Sequence, residues 1–197
     1  LDSVLSFTLV GCALLASPGP ATLSMGATGA AFGLRRGLGY LTGLVAGLLG
    51  VMLITASGLS SLLLALPGVA PVIGGLSLLY MLFLAYRIAS APPLSLSSDE
   101  SHPPRLMSGI FLSLTNPKAY AAMAALFSGY TLVVGALELD LLAKIGILLL
   151  VALSSDFAWL ILGSSLANLS KRPGISRGIN IGFAIALLLS IGLALLL

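Results

Sequence analysis

The sequence predicts an all-α membrane protein: six transmembrane helices forming two inverted three-helix repeats, with the first and fourth helices broken. Three observations predict it. Apolar residues make up 58% of the 197-residue chain and charged residues only 8%, where a soluble domain carries about 25% charged residues. The apolar residues gather into six runs, each long enough for a bilayer core that takes about 20 residues to cross. Two of those runs are interrupted, at Ser17-Pro18-Gly19-Pro20 and at Thr115-Asn116-Pro117-Lys118, with Pro18 and Pro117 99 positions apart. In hydrocarbon an unpaired backbone group is costly, so a break persists only where it lines a cavity or is buried in protein.

The first span covers residues 3–33 and contains the first break. Asp2 stands where a cleavable signal would carry a basic residue, so this segment reads as a span and not a leader. Cys12 within it reads as a small packing residue. The second span, 38–66, is followed by Pro67-Gly68-Val69-Ala70-Pro71, a tight uncharged turn into the third span, 69–90. Residues 91–105 carry four prolines and four serines and read as a cytoplasmic linker. His102 lies there without potential partners and is read as a solvated loop residue. The fourth span, 106–133, holds the second break, and the fifth and sixth cover 141–168 and 178–197. The linker thus divides a first repeat, 1–90, from a second, 106–197.

Charge fixes the orientation. Arg35 and Arg36 follow the first span, Arg87 and Arg105 flank the linker, and Lys171, Arg172 and Arg177 fill the fifth loop. The opposite side holds Asp2, Glu138 and Asp140, with Lys144 as its one base. By the positive-inside rule the basic loops are cytoplasmic and both termini face outward. Three crossings separate the two breaks, so the broken helices run in opposite directions, as in the inverted repeats of many secondary transporters. Gly29/Gly33, Gly33/Gly37, Gly43/Gly47 and Gly178/Gly182 have the spacing that lets helices approach closely. Packing within the chain is the first use of these faces, and a homodimer interface the second.

Two ionisable residues lie deep within spans. Lys118 and Asp156 are each 12 residues from the inner ends of their spans, or ~18 Å at about 1.5 Å per residue. Equal depth near mid-bilayer allows an ion pair or a shared contact with a charged ligand, and argues against snorkelling of Lys118. The breaks add complementary polarity. A half-helix starting at Pro20 or Pro117 presents unpaired N–H groups and a positive dipole end, which suit a carboxylate. The carbonyls ending the preceding half-helix, with Asp156, suit an ammonium group. Together they describe a cavity for a small zwitterion. Thr115, Trp159 and Asn180 are further candidates for lining it, and Tyr80 and Tyr120 could wall it or simply pack.

Other chemistries find no foothold. One cysteine and one histidine cannot build a metal cluster or a dithiol relay. The basic face that nucleic acid requires is missing. No nucleotide-binding loop or nucleophile–base constellation is present, so the chain does not read as an enzyme and implies no cofactor.

Pro18-Gly19-Pro20 and Asn116-Pro117-Lys118-Ala119, with the Gly-Leu-Arg-Arg-Gly loop at 33–37, Tyr80, Arg87, and Asp156 followed by Trp159, resemble the LysE/RhtB family of amino-acid exporters. The resemblance runs over nearly the whole chain. It implies an exporter of amino acids or close derivatives in the bacterial inner membrane, driven by an ion gradient and not by ATP. It also implies that Pro18, Gly19, Pro20, Asn116, Pro117, Lys118 and Asp156 form the substrate site. The expected mechanism is alternating access around the paired breaks. Asp156 would take the ammonium group or a coupling proton, and Lys118 would tune it or meet the carboxylate. Ala21 after the first motif, and the apolar Gly50-Val51-Met52, depart from the family pattern and favour a small or apolar side chain on the substrate. An exporter of metal or other inorganic ions, and a non-transporting membrane scaffold, are the competing readings.

Overall fold

The computed structural model describes residues 2–58, 69–90, 103–169 and 173–196. These fold into eight α-helices: α1 (Asp2–Ala16), α2 (Pro20–Phe32), α3 (Leu34–Ala56), α4 (Val69–Ala89), α5 (Leu106–Thr115), α6 (Pro117–Gly129), α7 (Leu137–Leu169) and α8 (Pro173–Leu196). Counted over the described residues alone, two are long and apolar enough to cross a membrane: α3, and α7 over Leu137–Leu166. The pair α1 and α2, bent by 57° at its break, qualifies together as a third. His102, most of the linker, Pro67, Gly68, Lys171 and Arg172 lie outside the described residues.

Several boundaries differ from expectation. Gly33, at a φ of 78°, is the one residue between α2 and α3. That left-handed conformation suits glycine, and it turns the chain so tightly that Arg35 and Arg36 begin α3 instead of filling a loop. Val69, Ala70 and Pro71 belong to α4 and not to a turn. Arg177 lies within α8. Cys12 is exposed, not packed, because α1 turns Phe7 and Gly11 inward, and Cys12 falls on the next face round.

The outer surface is apolar: Leu5, Leu9, Leu79, Leu142, Leu150 and Leu189 are all exposed. The interior is where polar groups collect, among them Thr22, Ser24, Thr28, Ser113, Asn116 and Asp156. This inverts the arrangement of a soluble domain and suits hydrocarbon as the surrounding solvent.

Two apolar clusters form the core. One joins Leu23, Tyr40, Leu44, Leu84, Leu112, Leu160 and their neighbours from α2, α3, α4, α5, α7 and α8. The other joins Phe7, Leu48, Met52, Met123, Leu126 and Leu148 from α1, α3, α6 and α7. Both α3 and α7 pass from one cluster to the other.

Glycine packing is confined largely to the first cluster. A Cβ on Gly29 would lie 2.3 Å from the Leu160 carbonyl oxygen, and one on Gly43 would lie 2.1 Å from that of Leu106. Backbone meets backbone there, between α2 and α7 and between α3 and α5. Gly178 and Gly182, expected to pack similarly, meet nothing within 4 Å among the described residues.

At the far end of the second cluster sits a buried ion pair. Lys144 Nζ lies 2.7 Å from Asp140 Oδ2, one helical turn away. It also donates to the Phe127 carbonyl of α6 at 3.2 Å. Asp140 Oδ1 accepts from the amides of Leu132 and Val133. Lys144, read from sequence as an outer-side base, is half of a clasp tying the end of α6 and its following loop to the start of α7.

Candidate functional site

A cavity of about 40 Å³ opens where the two clusters meet. It is lined by Leu14 and Leu15 of α1, Gly19 through Thr22 at the first break, and Leu44 and Leu48 of α3. Ser113, Asn116, Lys118, Ala119 and Ala122 border it at the second break, and Ala152 and Asp156 on α7. A void needs about 10–15 Å³ on this scale to hold one water, so this one admits water without further opening. Of the residues singled out in the sequence, the fold brings Gly19, Pro20, Asn116, Lys118 and Asp156 to its wall. Pro18 and Pro117 shape the breaks from outside the lining. Thr115, Trp159 and Asn180 are not among the lining residues.

The first break is held by side chains. Thr22 Oγ1 accepts from the Gly19 amide at 2.9 Å and donates toward the Ser17 carbonyl at 3.2 Å. Pro20 opens α2 and has no N–H to place. The next two amides, those of Ala21 and Thr22, make no hydrogen bond with the described residues. These donors stand at the positive end of α2, on the cavity wall.

The second break is a single residue. Asn116 ends α5 and caps α6, its Oδ1 accepting from the Lys118 amide at 3.1 Å. Its own carbonyl accepts from the Ala119 amide at 3.1 Å. The α6 donors are therefore used within the chain, whereas those of α2 are free. The two breaks match in position and differ in chemistry. Replacing Asn116 with Ala is expected to cost about 1 kcal/mol, the usual worth of an N-cap, read as a lowered Tm in detergent.

Lys118 and Asp156 share the cavity but form no ion pair. The Lys118 ammonium turns instead to the first break, donating to Ser17 O at 2.9 Å, Ser17 Oγ at 2.8 Å and, more weakly, Pro18 O at 3.4 Å. The carbonyls expected from the sequence to meet a ligand's ammonium group are thus engaged by the chain itself. Trp159 engages another, its Nε1 donating to Ala16 O at 3.1 Å, and its ring packs beside Gly26 of α2. Thr115 turns its hydroxyl back to the Phe111 carbonyl at 2.8 Å. Tyr80 packs edge-on to Phe111 and donates to Ser108 O at 3.0 Å.

Asp156 is left distinct. It is 7% exposed, and it lies on α7 between Ala152 and Leu160, one turn from each. It makes no hydrogen bond or ion pair with the described residues, while its side chain borders the cavity. Sequence reasoning missed Ser17, Thr22 and Ser113. Small hydroxyl residues in apolar helices are common, and only the fold aims these three at broken backbone or, for Ser113, at the Leu44 carbonyl across α3 (2.8 Å).

The LysE type translocator family matches residues 12–197. Comparison with curated proteins and with solved structures gives no match.

Proposed function

From the premise that the chain belongs to the LysE type translocator family, and so is a membrane transporter and not an enzyme, we propose that it exports small zwitterionic amino acids or close derivatives by secondary transport across the bacterial inner membrane. The observation that carries this reading is a buried Asp156 that lines one small cavity together with Ala21 and Thr22, the carboxylate and both amides making no hydrogen bond among the described residues. A carboxylate on the ligand would accept from those amides at the positive end of α2. Its ammonium group would meet Asp156. Leu14, Leu15, Leu44, Leu48, Ala119, Ala122 and Ala152 make the rest of the wall apolar, which suits a small apolar side chain on the ligand.

In this reading the eight helices make six spans, α1–α2 and α5–α6 each being one broken helix, in two repeats of opposite direction. The basic loops face the cytoplasm and the termini the periplasm. The cavity is too small for an amino acid as it stands, so loading requires one half to move. The backbone-to-backbone contacts of α2 with α7 and α3 with α5 close the side that bears the first cluster. The side with α1 and α6 lacks such contacts among the described glycines, apart from Gly11 against the Leu148 side chain. Alternating access would break one set of contacts as it makes the other. A coupling proton on Asp156, competing with the substrate ammonium, would link export to the proton gradient.

The alternative of a metal-ion exporter would require a cation to pass beside the Lys118 ammonium, which repels it. Reconstitution tests the proposal. Purified protein in proteoliposomes is expected to move labelled alanine, glycine or another small neutral amino acid, faster with an imposed proton gradient. Movement of no amino acid under any gradient would overturn it.

A further inference from the structure

Lys118 reaches 101 residues back along the chain to bind the first break, and the contact is built to receive it. Three acceptors, Ser17 O, Ser17 Oγ and Pro18 O, face the three N–H donors of the ammonium. The Ser17 hydroxyl donates to Leu14 O at 2.9 Å, which leaves its oxygen free to accept from Lys118. The stem is accommodated as well. A Cβ on Gly19 would lie 2.8 Å from Nζ and 2.9 Å from Cδ of Lys118, so a side chain there would collide with it. The acceptors terminate α1, where the dipole is negative and a cation is favoured. In broken-helix transporters, unwound carbonyls of this kind coordinate a coupling cation such as Na⁺.

We infer that the Lys118 ammonium is a resident cation, occupying a monovalent-cation site at the first break, and that it makes the protein independent of any external metal cation at that site. This rests on the transporter reading for its role in export, but not for the site itself. The oxygen cage is complete without the substrate. A tethered ammonium cannot dissociate, so the end of α1 stays neutralised through the whole cycle. Asp156 is then the one carboxylate at the cavity left to carry a mobile charge, and the free ligand contributes the other.

Truncation of Lys118 should expose the vacant site. Lys118→Ala is purified in detergent and its thermal unfolding followed in ammonium, sodium or choline chloride at equal ionic strength. Ammonium or sodium is expected to raise the Tm of the variant progressively with concentration relative to choline, since a ligand that binds only the folded state stabilises it. The unaltered protein is expected to show the same Tm in all three salts. A folded Lys118→Ala protein indifferent to both small cations would overturn the inference, and so would equal stabilisation of the unaltered protein. Should the variant not fold, the unaltered protein in proteoliposomes decides. Replacing all sodium by choline is expected to leave its transport rate unchanged, and loss of transport in choline would refute a resident cation. Because the Tm readout needs no transport, it stands even if no amino acid proves to be a substrate.

Discussion

Asp156→Asn is expected to abolish transport and, in the same protein, to leave the Tm unchanged or raise it. Both outcomes follow from one geometry. The carboxylate is buried, faces the cavity and has no hydrogen-bond or ion-pair partner among the described residues. A charged aspartate at the centre of a membrane helix costs about 2.5–3.5 kcal/mol on insertion scales, and here no hydrogen bond or ion pair among the described residues offsets that cost. Breaking a buried ion pair destabilises because it strands a charge. Neutralising Asp156 strands none, since Lys118 keeps its bonds to Ser17. An amide of the same shape removes the ammonium partner and the exchangeable proton together. Uptake into proteoliposomes and a melting curve, taken on one preparation, separate the two effects. Retained uptake would remove Asp156 from the mechanism. Lost uptake with a collapsed Tm would assign it a structural role instead.

Gly163→Ala is expected to prevent correct packing, with a severe loss of folded protein after extraction. A Cβ at this position would sit 1.8 Å from the Gly26 carbonyl oxygen, 2.7 Å from its carbonyl carbon and 3.0 Å from the Ala30 nitrogen. All three are backbone atoms of α2, so no rotamer can relieve the clash and the helices must separate. Inserting a methyl into a packed core costs about 1–3 kcal/mol where side chains can yield; with rigid backbone on the other side the cost is larger. Gly146→Ala on the same helix is the control. Nothing described lies within 4 Å of a Cβ there, so it should fold normally. Size-exclusion profiles of the two variants check the contrast. A monodisperse, thermally normal Gly163→Ala protein would disprove the close contact of α2 with α7.

Much of this was legible in the chain. Proline and the apolar surroundings of Pro18 and Pro117 locate the helix interruptions, because a missing N–H and a rigid ring leave the backbone few alternatives. The motifs around them point to the family that matches residues 12–197. Less legible were Gly26, Gly109 and Gly163, whose tight contacts join residues far apart in sequence. Four-residue glycine spacing marks a helix face able to pack but not the partner it packs against. That is why Gly29 and Gly43 were anticipated correctly, while Gly178 and Gly182 meet nothing within 4 Å among the described residues. The Asp140–Lys144 clasp was hidden for a different reason. Charges at the end of an apolar run mark a side of the membrane and not a partner, and only the loop folding back over α7 buries them.

The sequence by itself determined the solvent, the breaks and the presence of two charges within apolar runs. Composition sets which faces can meet lipid, proline sets where helices stop, and residue spacing puts Lys118 and Asp156 at matching places in their apolar runs. Tertiary structure decided which way those charges point. Depth along a helix axis says nothing about rotation around it or the distance to the next helix. Glycine contacts fix how closely α2 approaches α7 and α3 approaches α5. In the fold so packed, Lys118 reaches the Ser17 and Pro18 carbonyls that follow α1 while Asp156 borders the cavity, so two charges that the sequence places alike have different neighbours.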